Sequence, residues 1–201
     1  RALEARAREE MKLADPDLRV FIRNGMAIGD TIGREMHEAE GYKTIRFSWR
    51  MEITLDGVPP VAKLPEGIEL RPFEMEQDRA VFEAHEEAFS DHWGHTPTSY
   101  EKWRGNFIDT GTYDPKIWYI AWDGDQVAGA SICRYRNGIA WVGTLGVRRP
   151  WRKKGLGMAL LQHSFGEFYR RGYPTIGLGV DASNPTGATR LYQRAGMKTV
   201  S

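Results

Sequence analysis

Leu145-Gly-Val-Arg-Arg-Pro-Trp-Arg-Lys-Lys-Gly-Leu-Gly157 is the stretch on which the reading of this chain turns. Ile139–Val147 ahead of it is strand-like. After it, Leu156, Leu160, Leu161, Phe165, Phe168 and Tyr169 recur at helical steps, which predicts a helix over Arg152–Arg171 stopped by Gly172. The segment therefore links a strand end to a helix N-terminus, where unpaired N–H groups and a partial positive charge favour an anion. Glycines let such an anion approach the backbone closely, and Arg148, Arg149, Arg152, Lys153 and Lys154 add a local positive field. Phosphate binding follows. The dinucleotide fingerprint fails because position 160 is Leu, and G-x-x-x-x-G-K-[ST] occurs nowhere.

Outward from this segment, the pattern alternates. Gly67–Phe73 reads as a half-buried strand, and residues 76–90 place Ala80, Val81, Ala84, Ala88 and Phe89 on a helix face. Thr98-Ser-Tyr-Glu101 has the form of a capping box ahead of a second helix with Tyr100, Trp103 and Phe107. Trp118–Trp122, Gln126–Tyr135 and Ile139–Val147 are then joined through Asp123-Gly124 and Asn137-Gly138, dipeptides that accept the positive φ of tight hairpins. Beyond the long helix, Thr175–Asp181 is a strand. Asn184-Pro185 should cap a helix running to about Ala195, with Gly196 past its end and a strand at Lys198–Val200. The expected class is α+β with a mixed sheet.

The first part of the chain repeats the last. At an offset of 155 residues, Thr31, Gly41, Lys43 and Thr44 match Thr186, Gly196, Lys198 and Thr199; helix 1–15 falls on 156–170 and Leu18–Ile22 on 173–177. Residues 1–57 are accordingly read as the end of a preceding degenerate copy, 58–65 as a Pro-rich linker, and 66–201 as the main domain. That domain is expected to lack a last strand of its own, to be supplied by residues 44–55 of this or a neighbouring copy or by a longer native chain. Arg at position 1 fits a chain that is part of something longer.

Arg152-x-x-Gly155-x-Gly157 resembles the acetyl-CoA pyrophosphate loop of the GNAT acetyltransferases. Asn184, Ala188, Leu191-Tyr192 and Gly196-Met197 resemble that family's N-x-x-x-A-x-x-L-Y-x-x-x-G-[FM] segment. The resemblance covers roughly 66–201 and implies a mixed sheet whose strands 139–147 and 175–181 splay apart around acetyl-CoA as co-substrate. It implies that Arg152, Lys153, Lys154, Gly155, Leu156, Gly157 and Met158 hold the pyrophosphate, with Asn184 and Tyr192 also at the cofactor. The Leu145 N–H would serve the oxyanion, Gly146 and Val147 would pair with the pantetheine arm, and Tyr192 would protonate the leaving thiolate. Ala88-Phe-Ser-Asp-His-Trp-Gly94 and the repeat are similar to two-domain GNAT proteins of the mycothiol synthase kind. Those carry a carboxylate base where this chain has Trp141. The base is left open among Glu86, Glu87, Asp91, His92 and Glu101.

Composition limits the alternatives. In 201 residues, 28 Lys and Arg balance 27 Asp and Glu, so nucleic-acid binding has only the 148–154 cluster to recommend it. A single cysteine, Cys133, excludes an internal disulfide and fits a reducing cytoplasm; it reads as a small core residue. No apolar run is long enough to span a membrane, and Asp91, His92 and His95 read as an ordinary loop rather than a metal site. Trp93, Trp103, Trp118, Trp122 and Trp141 are either core or the wall of an acceptor pocket. The expected partner is a small-molecule amine, with a sister domain or a second copy as a packing partner. An idle acyl-CoA-binding module is the alternative to an N-acetyltransferase.

Overall fold

The computed structural model describes residues 2–17, 20–110, 114–184 and 186–201. The chain divides into two compact units, Arg1–Ile45 and Arg46–Ser201. No helix among the described residues is long and apolar enough to cross a membrane.

The first unit contains α1 (Ala2–Met11) and α2 (Thr31–Ala39), the latter capped by Asp30, whose side chain accepts from Gly33 N at 2.8 Å. The strand expected over Leu18–Ile22 is not formed at Val20–Ile22, while Leu18 and Arg19 lie outside the described residues. A lone extended segment has no neighbour to complete its ladder. The stop of α2 has the same geometry as the turn at Gly196. Gly41 (φ 85°) and Gly196 (φ 93°) are both left-handed, and Tyr42 N bonds His37 O as Met197 N bonds Tyr192 O. Each is a Schellman stop, which needs a left-handed residue after the helix.

The second unit is one sheet of seven strands, β1 (Ser48–Thr54), β2 (Ile68–Pro72), β3 (Trp118–Asp123), β4 (Gln126–Arg136), β5 (Ile139–Val147), β6 (Thr175–Asp181) and β7 (Lys198–Thr199), in the order β2-β3-β4-β5-β6-β1-β7. Only the β5–β6 pair is parallel. Both hairpins form. Arg136 pairs with Ile139 across Asn137 (φ 49°) and Gly138 (φ 78°), the two positive φ values of a type I′ turn. In the other, Asp123 is itself paired with Gln126, so the turn residues are Gly124 and Asp125 rather than Asp123-Gly124, with positive φ at Gly124 alone. β1 lies between β6 and β7, so residues 48–54 fill the place that the sequence left vacant.

Helices cover both faces. α3 (Asp78–Phe89) buries Val81, Ala84 and Ala88, and α4 (Tyr100–Phe107) buries Trp103; Ala80 is exposed, contrary to the expected stripe, and Phe82 packs instead against Tyr100 and Trp103. The cap of α4 is Ser99, one residue later than expected, since its hydroxyl accepts from Lys102 N at 3.2 Å. On the opposite face lies α5 (Leu156–Arg170), with Leu156, Ala159, Leu160, Leu161, Phe165 and Phe168 buried and Tyr169 only half-buried. Ser164 of α5 bonds Ser131 at 2.8 Å, and beside them Cys133 is buried as a core thiol, pushed up to about 11 by burial. α6 (Ala188–Arg194) closes the chain's last crossover.

Candidate functional site

β5 and β6 pair only at Ala140–Ile176, Trp141–Gly177 and Val142–Leu178. Beyond these rungs β5 stays bonded to β4 as far as Val147, and β6 stays bonded to β1 as far as Asp181. The two strands therefore part, and their facing edges over 143–147 and 179–181 have no strand partner among the described residues. The cause is visible in the β4 register. Cys133 faces Val142 and Ile132 faces Thr144, so Gly143 is the extra residue of a bulge, which bends its strand and increases the twist. The sequence carried one sign of it, a glycine inside a strand pattern.

Which backbone groups face the gap follows from the ladder. Arg148 N bonds Ala128 O at 3.0 Å, so 148–128 is a hydrogen-bonded pair and, by alternation, 146–130 is another while 145–131 and 147–129 are not. Leu145 and Val147 aim N–H and C=O away from β4, into the gap. Gly146 aims both at β4, which corrects the expectation that it pairs with a pantetheine arm. Its lack of a side chain serves packing: a Cβ there would lie 2.9 Å from the Phe89 ring and 3.2 Å from Ala88 Cβ.

The phosphate loop begins with a single 3-10 turn over Arg149–Trp151, and α5 starts at Leu156, later than the predicted Arg152. Lys153 (φ 62°) and Gly155 (φ 88°) are left-handed, which delays the helix. Gly155 is the N-cap and supplies no side-chain acceptor, and the first bond inside the helix is Ala159 N to Gly155 O. The N–H groups of Leu156, Gly157 and Met158 thus stand open at the positive end of a 15-residue helix. No heavy atom beyond the flanking residues lies within 4 Å of a Cβ at Gly155, so the cradle is empty space. Gly157 is tight by contrast: its Cβ would lie 3.2 Å from Leu191 Cδ1 and 3.8 Å from Val147 Cγ2, where α5, α6 and the end of β5 converge.

The arginines of the loop engage protein groups. Arg152 donates from Nε to Val147 O (3.0 Å), from Nη2 to Ala88 O (3.0 Å) and from Nη1 to Asp91 (2.8 Å). Its guanidinium binds the end of β5 to the end of α3 and so braces the two elements. Arg148 pairs with Glu87 at 2.6 Å and Arg149 with Asp91 at 2.6 Å. Lys153 and Lys154 are exposed and have no ion pair among the described residues. They, with the open N–H groups, are what the loop offers an anion.

Tyr192 lies on α6, 8% exposed, and burial pushes its phenol up to about 12. Asn184 Oδ1 accepts from Thr186 N at 2.8 Å and Thr186 Oγ1 at 2.5 Å, so it shapes the loop after β6. α6 itself begins at Ala188 behind Gly187 (φ 78°), later than an Asn184 cap would place it, and Pro185 lies outside the described residues.

The base candidates separate. Glu87 is committed to Arg148 and to Arg149 N, and Asp91 is held well below the usual carboxylate range by hydrogen bonds from Arg149 and Arg152. Glu86 accepts from Thr98 N at 3.1 Å and faces His95 at 3.6 Å. Glu101 is exposed in the first turn of α4 and is lowered by its backbone and Ser99 hydrogen bonds. His92 sits edge-on to Phe89 at 4.5 Å, and Phe89 in turn touches Gly146, the neighbour of Leu145. Burial and the Arg152 charge lower His92, which keeps it neutral at pH 7. Among the tryptophans, Trp103, Trp118 and Trp122 are core, while Trp93 is 45% exposed beneath Arg46.

A parallel strand pair that opens beside a glycine-widened helix N-terminus defines a sheet suited to an extended, phosphate-bearing ligand laid along a strand edge. Residues 79–197 match the acetyltransferase (GNAT) family, and the chain belongs to that family. It is 29% identical over 173 residues to a mycothiol acetyltransferase of Renibacterium salmoninarum, covering 81% of this chain and 51% of that protein. It is 30% identical to the mycothiol acetyltransferase of Thermobispora bispora, covering 78% and 55%. The crystal structure of a GCN5-related N-acetyltransferase from Sphaerobacter thermophilus matches with a TM-score of 0.76 and 39% identity, over 96% of this chain and 60% of that one. The chain spans about half the length of the curated relatives it matches.

Proposed function

We propose that the chain transfers an acetyl group from acetyl-CoA to a primary amine of a small molecule by direct attack in a ternary complex. The observation that carries this is the gap between β5 and β6, with the Leu145 N–H aimed into it and the open N-terminus of α5 at its end. Acetyl-CoA, as co-substrate, supplies an activated thioester. Leu156, Gly157 and Met158 N–H with Lys153 and Lys154 would hold its pyrophosphate. Val147 N–H, with Leu145 C=O, would bond the pantetheine arm, since Val147 O is already taken by Arg152.

The chemistry then needs three services. An amine with a pKa of about 10.4 must lose a proton, a carbonyl oxygen must be stabilised as it gains charge, and a thiolate whose acid has a pKa of about 8.5 must be protonated. His92, acting through water, is the base that the geometry favours. The Leu145 N–H serves the oxygen, a contribution of the kind worth about 10²–10³ in rate. Tyr192 stays protonated and donates to sulfur. We infer also that residues 1–57 are the end of a preceding sister copy, a reading that the matching helix stops at Gly41 and Gly196 support. His37 stands there in place of Tyr192, so that copy would contribute no acid.

Release of CoA thiol with a panel of primary amines, in wild type and Tyr192→Phe, tests the reading. The variant is expected to lose about 10²–10⁴ in rate while its affinity for acetyl-CoA changes by less than about twofold. Equal rates would remove Tyr192 from the reaction, and acetyl-CoA binding with no turnover on any amine would leave an idle binding module.

A further inference from the structure

Side chains on β4 alternate faces, and Ala130 and Ile132 point to the side that α3 covers. Arg134 and Arg136 continue that row past the end of α3's cover, and both are exposed. Arg134 lies across the bulge: a Cβ on Gly143 would be 3.6 Å from its Nε and 3.8 Å from its Cζ. It thus places a cation where β5 and β6 begin to part. Beside it, Trp141 pairs with Arg134 across the ladder and lays its indole flat over β6, so close that a Cβ on Gly177 would lie 2.6 Å from the ring. Arg136 stands over that indole at 4.9 Å and Arg50 of β1 at 5.6 Å.

Most arginines of the second unit are held by carboxylates, while Arg79, Arg134, Arg136, Arg190 and Arg194 have no ion pair among the described residues. Arg134 and Arg136, two guanidiniums without an ion pair on the same face of β4, one of them 4.9 Å from the centre of an indole, could together close as a fork on a carboxylate or phosphate. This fork shares the α3 face with Phe89 and His92, on the side from which an amine would reach the gap.

We propose that the acceptor amine carries an anionic group, carboxylate or phosphate, which Arg134 and Arg136 bind over Trp141. This rests on the acetyltransferase reading and deepens it. The fork also limits size. Arg134 is three residues along β4 from Ser131, the partner of Leu145, about 10 Å at 3.3 Å per residue, which sets the scale of the separation between amine and anion.

Matched amines test it: O-phosphoethanolamine against ethanolamine, and β-alanine against β-alaninamide, each with acetyl-CoA. The anionic member of at least one pair should be favoured tenfold or more in kcat/KM, and which pair shows it separates phosphate from carboxylate. In Arg134→Ala/Arg136→Ala the two members should converge through a rise in KM for the anionic one, and Arg134→Lys/Arg136→Lys should restore part of the preference. The melting shift caused by CoA, kept in both double variants, shows that the fold and the cofactor site are intact. Neutral amines used as well as their anionic partners, or both slowed alike by the double alanine variant, would overturn the proposal. If no amine is turned over, the acetyltransferase reading fails separately. Calorimetric titration of O-phosphoethanolamine and β-alanine into the CoA-loaded chain then decides: binding lost in the double alanine variant supports the anion site, and no binding to wild type rejects it.

Discussion

Ser99 and Thr98 show how finely a cap is set. The T-x-x-E spacing pointed to Thr98, yet the hydroxyl that accepts from the first turn of α4 is that of Ser99, while the Thr98 N–H is spent on Glu86. Ser99→Ala is therefore expected to cost about 1 kcal/mol in urea denaturation and Thr98→Ala less than about 0.5 kcal/mol; the reverse order would return the cap to Thr98. Single residues were legible where backbone geometry demands them, as at Gly138, Gly172 and Gly196, all left-handed. They were not legible where the partner is distant in sequence. Nothing near Arg152 announces Ala88 O or Asp91, and a motif match cannot say whether an arginine faces the ligand or the protein.

Between elements, Arg152 ties α3, β5 and the phosphate loop together. Arg152→Lys, unable to reach three acceptors at once, is expected to lower the stability of the ligand-free chain by about 2 kcal/mol in the same denaturation experiment. A side chain reserved for the cofactor's phosphates would leave the ligand-free chain unchanged. In the second unit, strand and helix order, the meander and the last two crossovers were readable, because alternation and helical period are local signals. The neighbours of β1 were not, and the bulge at Gly143 had only a glycine inside a strand pattern to mark it. Pairing between segments as distant in sequence as Ile53 and Ile176 leaves no trace in either beyond an apolar pattern. The repeat at offset 155 was the only hint that residues 44–55 would enter the second unit's sheet.

Over the whole molecule, half-buried histidines set the response to acid. His85, His92 and His163 are each lowered, first by burial, and His85 Nδ1 faces Glu86 only at 3.7 Å. The unfolded chain, with ordinary histidines near pKa 6.5, binds protons before the folded one does, so stability is complete above that value and declines as pH falls below it. The melting temperature should drop between pH 7.5 and 5.5; a constant or rising value would show that these rings charge without cost. At this scale the family was readable because the two halves of the cofactor motif lie in order on a strand–helix–strand–helix frame. The face that carries Arg134, Arg136 and Trp141 was not, since it is assembled from β1, β4, β5 and β6. The central claim is that the gap and the α5 N-terminus hold acetyl-CoA, and a thermal melt with acetyl-CoA, CoA and ATP on wild type and Gly155→Asp tests it most directly. Both CoA species at 100 times their Kd should stabilise the wild type by about 2.7 kcal/mol, and the carboxylate placed in the open cradle should abolish the shift. No shift in the wild type at saturating CoA, or an equal shift in the variant, would contradict the account.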